Sequence, residues 1–176
     1  MQEQELRQWD IIVLINTALW TMKIKLFPDI ASKTCENFIT HSMNWYYNGT
    51  IFHRVISNFM IQGWDPTWTW MGWESIYWTA FEDEITPNLR HIKWALCMAN
   101  SWANTNWSQF FIVHAAKTPW LDWHHTVFWQ INEWMDILDI IATQRTKRDD
   151  KPLFDIIVNN IEIMTINNWE LIPYTK

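Results

Sequence analysis

Glycine is almost missing from this chain: its 176 residues hold three, Gly49, Gly63 and Gly72, where average usage of roughly 7% would supply about twelve. Turns must therefore be made by residues that enter left-handed backbone only at a cost. Cysteine is scarce as well. Cys35 and Cys97 stand far apart with no CxxC spacing, which excludes a disulfide framework and paired-cysteine metal sites and suits two buried, reduced thiols. Positive charge is short: 13 Lys and Arg against 19 Asp and Glu leave a net charge of −6. The basic pair Lys147-Arg148 is diluted by Asp149 and Asp150, so no basic stripe argues for direct nucleic-acid binding. Long apolar runs are lacking too. The opening Met1-Gln2-Glu3-Gln4-Glu5 is polar, and Ile11 to Ile15 is short; the expectation is no signal peptide, no membrane partner and an intracellular, cytoplasmic location.

Tryptophan fills the gap that glycine leaves, with 16 residues. Asn44-Trp45, Asn106-Trp107 and Asp122-Trp123 stand where turn chemistry asks for Asn-Gly or Asp-Gly. The length fits one domain able to bury a core without staples. Ile11 to Thr17 and Thr21 to Phe27 read as a hairpin of strands, the second alternating Met22, Ile24 and Leu26 with Thr21, Lys23 and Lys25. Asp29 to Ser42 carries Ile30, Cys35, Phe38 and Ile39 at helical spacing. Short strand-like runs follow at Ile51 to Ile56, Phe59 to Gln62, Ala95 to Ala99, Phe110 to Ala115, Thr126 to Ile131 and Ile156 to Ile163. A second helix is expected over Glu133 to Gln144. Many short strands, two helices and no βαβ alternation predict an antiparallel barrel or sandwich. Asp65 to Ala80 is too long for a hairpin loop and reads either as a functional loop or as a pattern broken by tryptophan.

Phe52-His53-Arg54-Val55-Ile56 sets a permanent cation among apolar residues. Such a guanidinium pairs structurally or awaits a ligand; Glu82, Asp83 and Glu84 are the structural partners to weigh. Phe59-Met60-Ile61-Gln62, Met98-Ala99-Asn100, Ser108-Gln109-Phe110-Phe111, Trp120-Leu121-Asp122 and His125-Thr126-Val127-Phe128 add amides and an imidazole between aromatic walls. In this order and spacing, with Phe81 to Glu84 and Asn104 to Asn106, these motifs resemble the cyclophilin family of peptidyl-prolyl cis-trans isomerases over about Asp10 to Thr165. Asn44 to Asn48, Met71, Glu74, Thr118 to Asp122 and Lys151-Pro152 look most like its spliceosome-associated WD-repeat branch.

The resemblance implies a mainly β fold, a closed eight-stranded antiparallel barrel capped by two α-helices, with residues 1–9 a flank, 10–166 the domain and 167–176 a tail. It implies a monomeric, cofactor-free isomerase acting on proline-containing peptides or proteins, cyclosporin-like ligands, and, through the narrower likeness, spliceosomal partners and a nuclear location. Rotation about an X-Pro bond meets a barrier near ~20 kcal/mol because amide resonance must be lost. No nucleophile or metal is required; a cation near the prolyl nitrogen and donors on the carbonyl suffice. Arg54 supplies the cation. Phe59, Met60, Phe111 and Leu121 form the proline pocket, Gln62, Asn100, Trp120 and His125 hold the peptide backbone, and Ala99 and Gln109 lie beside them. Arg54, Phe59, Gln62 and His125 are the catalytic set in this reading. The rival readings are a non-catalytic proline-peptide binder and an engineered Gly-to-Trp variant with impaired activity.

None of the six histidines shows HxxxH spacing, so no metal site is expected. Glu82-Asp83-Glu84 reads as a structural acidic loop. Thirteen tryptophans (Trp20, Trp45, Trp64, Trp68, Trp70, Trp73, Trp78, Trp94, Trp102, Trp107, Trp123, Trp129 and Trp134) fall where the family usually shows glycine. If half of them need positive φ, at roughly 1–2 kcal/mol each, folding is threatened. Trp64, Trp70, Trp102 and Trp107 border the groove in this picture and are expected to crowd it.

Overall fold

Nine strands, some alternating and some, like the wholly buried β5 and β6 segments Ala95–Met98 and Phe110–Val113, continuous apolar runs, form one antiparallel sheet. The computed structural model describes residues 5–64, 74–133 and 136–175; the first part of the Asp65–Ala80 loop, Gly72, Trp68, Trp70, Trp73 and Trp134 lie outside them. The elements are β1 (Ile11–Thr17), β2 (Thr21–Leu26), α1 (Ser32–Met43), β3 (Phe52–Ile56), β4 (Met60–Gly63), β5 (Ala95–Met98), β6 (Phe110–Val113), a 3-10 turn (Pro119–Leu121), β7 (Val127–Glu133), α2 (Asp136–Ala142), β8 (Val158–Asn167) and β9 (Glu170–Pro173). Their order across the sheet is β3-β4-β6-β5-β7-β2-β1-β8-β9. Among the described residues the ladder is not continuous all the way round. The β3 edge meets the start of β8 through the single bridge Ile51–Ile157, flanked by Phe52 N–H to Ile156 O at 3.2 Å and Val158 N–H to Thr50 O at 2.9 Å. The result is the expected barrel-like, mainly β fold with two helices, extended by β9 in the segment read as a tail.

The predicted alternation of β2 holds for Met22, Ile24 and Leu26, all buried, but Lys25 is buried too, ion-paired with Asp10. Burying an ammonium requires such a partner. Both helices pack their apolar stripes on the sheet: Cys35, Phe38 and Ile39 from α1 and Leu138, Ile141 and Ala142 from α2 join one core cluster with Val13, Ile24, Phe110, Phe128 and Trp129. A second cluster holds Met60, Cys97, Phe111 and Val127. Both cysteines are free and buried, and burial pushes both thiols up.

Helix α1 starts three residues later than its periodicity predicts. Ala31 at its N-cap has no side-chain acceptor. The Glu84 carboxylate, fifty residues away, takes the Lys33 and Thr34 N–H groups at 3.1 and 2.8 Å and the Ser32 hydroxyl at 3.3 Å. It does the work of a capping side chain with a full negative charge at the positive end of the helix. At the other end, Trp45 N–H bonds Ser42 O and Tyr46 N–H bonds His41 O, both at 3.0 Å, and Trp45 has φ 58°. Those paired bonds make a Schellman ending, whose left-handed residue is ordinarily glycine.

Of the nine described tryptophans that the resemblance sets at glycine positions, five have positive φ: Trp45, Trp64, Trp78, Trp94 and Trp123. Trp9 and Trp169 in the flanks do as well. Two of the three turn dipeptides behave as expected. The third does not: Asn106 is buried and bridged to Phe81, and Trp107 keeps negative φ. Conversely, Asn168-Trp169, both at positive φ, close the β8–β9 hairpin as a type I′ turn.

Candidate active site

The β3–β4 hairpin places the site. Its register sets Arg54 opposite Gln62 and Ile56 opposite Met60, and β4 in turn sets Gln62 opposite Phe111 on β6. Cation, amide and aromatic ring therefore lie in one row across three strands. Phe59 sits in the tight turn after Asn58, whose φ is 56°, and its carbonyl accepts from the His114 and Ala115 N–H groups at 2.9 and 3.1 Å. Loops after β5 and before β7 bring the remaining groups across.

A cavity of about 290 Å³ is lined by Arg54, Phe59, Met60, Gln62, Ala99, Asn100, Phe111, Leu121 and His125. Nine of the eleven residues singled out from sequence thus meet around one space. Gln109 lines an adjoining cavity of about 170 Å³ with Ser101, Thr105 and Trp107; the two spaces share Gln62, Ala99 and Asn100. Trp120 is 61% exposed and stacks on Phe59, centroids 6.3 Å apart, at the outer side of the turn. Gln62 donates to the Gln109 amide oxygen at 3.2 Å.

His125 has one assignable tautomer. Its Nδ1 lies 3.0 Å from the Met98 carbonyl, an acceptor, so Nδ1–H donates and Nε2 is left as an acceptor. Burial lowers its pKa against the pull of that carbonyl, so the ring is neutral at neutral pH. Behind it, His91 is buried, and its Nδ1 lies 2.8 Å from Asp122. Burial alone works to raise the Asp122 carboxyl, but the hydrogen bonds from the His91 ring and backbone outweigh it and hold the carboxyl low. His91 O also takes the Thr118 N–H at 2.8 Å, so one residue ties down both ends of the segment carrying Trp120 and Leu121.

Arg54 does not pair with the acidic run. Glu82 binds Lys33, and Glu84 caps α1. Asp83 gathers the groove wall, accepting from Asn100 Nδ2 at 3.2 Å, Asn106 Nδ2 at 2.8 Å and Asn104 N–H at 2.8 Å. The ion pair of Arg54 is with Asp150, Nε to Oδ2 at 3.7 Å. Sequence reasoning missed Asp150 because nothing local marks it. The hub at Asp83 left a faint signal, three asparagines closely spaced at 100, 104 and 106 with few apolar residues between.

The crowding expected of tryptophan at the groove is corrected for two residues. Trp64 is wholly buried, stacked on Phe110 and edge-on to Phe52, and so belongs to the core. Trp102 is 80% exposed. Trp107 lines the smaller cavity without closing it. Among the described residues no group of three or more His, Cys, Asp or Glu side chains is placed to hold a metal, and no helix is long and apolar enough to cross a membrane.

The fold is a barrel-like antiparallel sheet with an arginine, two amides and an aromatic floor around one open cavity. Residues 12–163 match the model of the family described as cyclophilin type peptidyl-prolyl cis-trans isomerase, and the chain belongs to that family. It is 45% identical over 187 aligned positions to a Staphylococcus aureus protein named "Putative peptidyl-prolyl cis-trans isomerase", covering 91% of this chain and 95% of that one. A Staphylococcus epidermidis protein of the same name is 43% identical over the same span. A crystal structure of a Cryptosporidium parvum cyclophilin type peptidyl-prolyl cis-trans isomerase superposes with a TM-score of 0.85 at 36% identity, covering 90% of this chain and 99% of that one. A second crystal structure of that protein, determined in the presence of the dipeptide Ala-Pro, superposes with a TM-score of 0.82.

Proposed function

We propose that this isomerase turns X-Pro bonds in the 290 Å³ cavity, with Arg54 as the group that stabilises the twisted amide. The observation that carries the reading is the row Arg54, Gln62, Phe111 across β3, β4 and β6. A proline ring resting on Phe111 and against Phe59, Met60 and Leu121 puts its nitrogen within the reach of the guanidinium. As the bond twists, that nitrogen loses resonance and gains a lone pair, which a cation stabilises only in the transition state. One such donor contributes about 3–4 kcal/mol, close to what a thousandfold acceleration requires. Asn100, Gln62 and the neutral His125 supply the polar contacts for the peptide backbone. Gln109 walls the adjoining space for residues before the proline, and the Ala-Pro dipeptide used with the Cryptosporidium protein is the kind of ligand this arrangement accepts.

Seven tryptophans in left-handed backbone support the further reading that this chain carries tryptophan where its fold calls for glycine. The likeness to the spliceosomal WD-repeat branch, a nuclear location and cyclosporin-like ligands rest on sequence segments alone, and the function proposed is confined to isomerisation.

The test is NMR exchange between the cis and trans forms of a short Ala-Pro peptide, with this protein and with Arg54→Ala. Exchange that is accelerated by the first and lost, by about a thousandfold, with the second supports the reading. Peptide shifts on binding without exchange would replace it with a non-catalytic binder.

A further inference from the structure

Arg54 is a long side chain, and the strand that carries it does not by itself decide where the guanidinium sits. The segment between α2 and β8 lies beside it. Residues 145–153 fold back on themselves through Leu153 N–H to Arg145 O at 2.9 Å, Lys147 N–H to Lys151 O at 2.7 Å and the Thr146–Pro152 bridge. At the tip, Asp150 takes φ 63°, a conformation that aspartate tolerates better than most residues. Its carbonyl accepts the Val55 N–H at 2.8 Å, which locks the tip to β3 one residue from Arg54. Its carboxylate then stands 3.7 Å from Arg54 Nε. Lys151, the nearest cation in sequence, pairs with Asp155 at 3.6 Å.

We propose that Asp150 is a positioning residue for the catalysis assigned to Arg54: it holds the guanidinium by its Nε edge and leaves the two Nη groups to the prolyl nitrogen and the carbonyl beside it. The inference rests on the role given to Arg54 above. A guanidinium tethered at one edge loses fewer rotamers when the amide twists, so the contribution of Asp150 appears in the chemical step and not in peptide affinity. Both side chains are partly exposed, 35% and 43%, so the effect is that of a half-screened pair.

Asp150→Asn tests it, because asparagine keeps the left-handed backbone and the carbonyl that binds Val55 while removing the charge. The expected result is about a two- to fivefold lower exchange rate at saturating Ala-Pro peptide. Peptide affinity and Tm are unchanged, and Asp150→Asn has no further effect in an Arg54→Ala background. Asp150→Glu restores part of the rate. An exchange rate for Asp150→Asn equal to or above the parent's, or an equal loss in the Arg54→Ala background, overturns the role of Asp150. Full activity of Arg54→Ala alone would instead overturn the role of Arg54.

Discussion

Trp45 is the position at which the cost of tryptophan in left-handed backbone can be measured with least interference. It closes α1 as the left-handed residue of the Schellman ending, at φ 58°, and its indole is 75% exposed, so little buried surface is lost with it. A side-chain-bearing residue pays roughly 1–2 kcal/mol in that conformation. Glycine pays nothing there but loosens the unfolded chain, which takes back about 0.4–1 kcal/mol. Trp45→Gly is therefore expected to stabilise the fold by about 0.5–1 kcal/mol, a Tm rise of about 1–4 °C for a domain of this size. Trp45→Ala removes the indole but keeps Cβ and hence the strain, so its Tm stays within about 1 °C of the parent. Thermal melts of the three proteins read the difference directly. Equal Tm values for the Gly and Ala variants, or a lower one for Gly, would refute the reasoning. Trp78, at φ 60° and 92% exposed, and Trp169, at φ 66° and 80% exposed, occupy separate turns. Glycine at all three is expected to sum to about 1.5–3 kcal/mol, since distant sites add.

Stability is also expected to fall on acidification through the histidine range. Burial pushes His41, His91 and His125 below their ordinary value. The unfolded chain takes up these protons near pH ~6.5 while the folded chain resists, so below that pH the unfolded state binds more protons and stability drops. Asp122, held low, loses its own contribution only below about pH 4, outside this window. Calorimetry at pH 7.5 and 5.5 checks it, and a Tm that stays level or rises toward acid would contradict the burial argument. Glu84→Ala removes the distant cap of α1 and is expected to cost about 0.5–2 kcal/mol, with Glu84→Gln costing less because its amide oxygen still accepts; chemical denaturation with helix-sensitive circular dichroism measures both, and equal stability of all three would show that the Ser32–Thr34 donors do not need the carboxylate.

Much of this protein was legible as sequence because its signals are local. Short apolar runs marked most strands, helical spacing marked both helices to within a few residues, and nine of the eleven site residues named from the ordered motifs between Phe52 and Phe128 meet around one cavity. Each of those signals is set by neighbours two to four positions apart, and the register of the β3–β4 hairpin then carries Arg54 to Gln62, whereas the pairing of Gln62 with Phe111 joins β4 to the distant β6 and belongs to the tertiary fold. The acidic run was read as structural, and it is. What each member does was not readable: Glu84 caps a helix that begins fifty residues earlier, Asp83 ties three asparagines, and neither meets Arg54. Asp150 was invisible for the same reason, since its contact with Arg54 joins segments that only barrel closure brings together. The tryptophans divide along the same line. Their number and their place in turn dipeptides could be read directly, but whether an indole lies in solvent, as at Trp102, or in the core, as at Trp64, depended on which way the folded backbone points each Cβ, and backbone direction at a turn is decided by the elements that the turn joins.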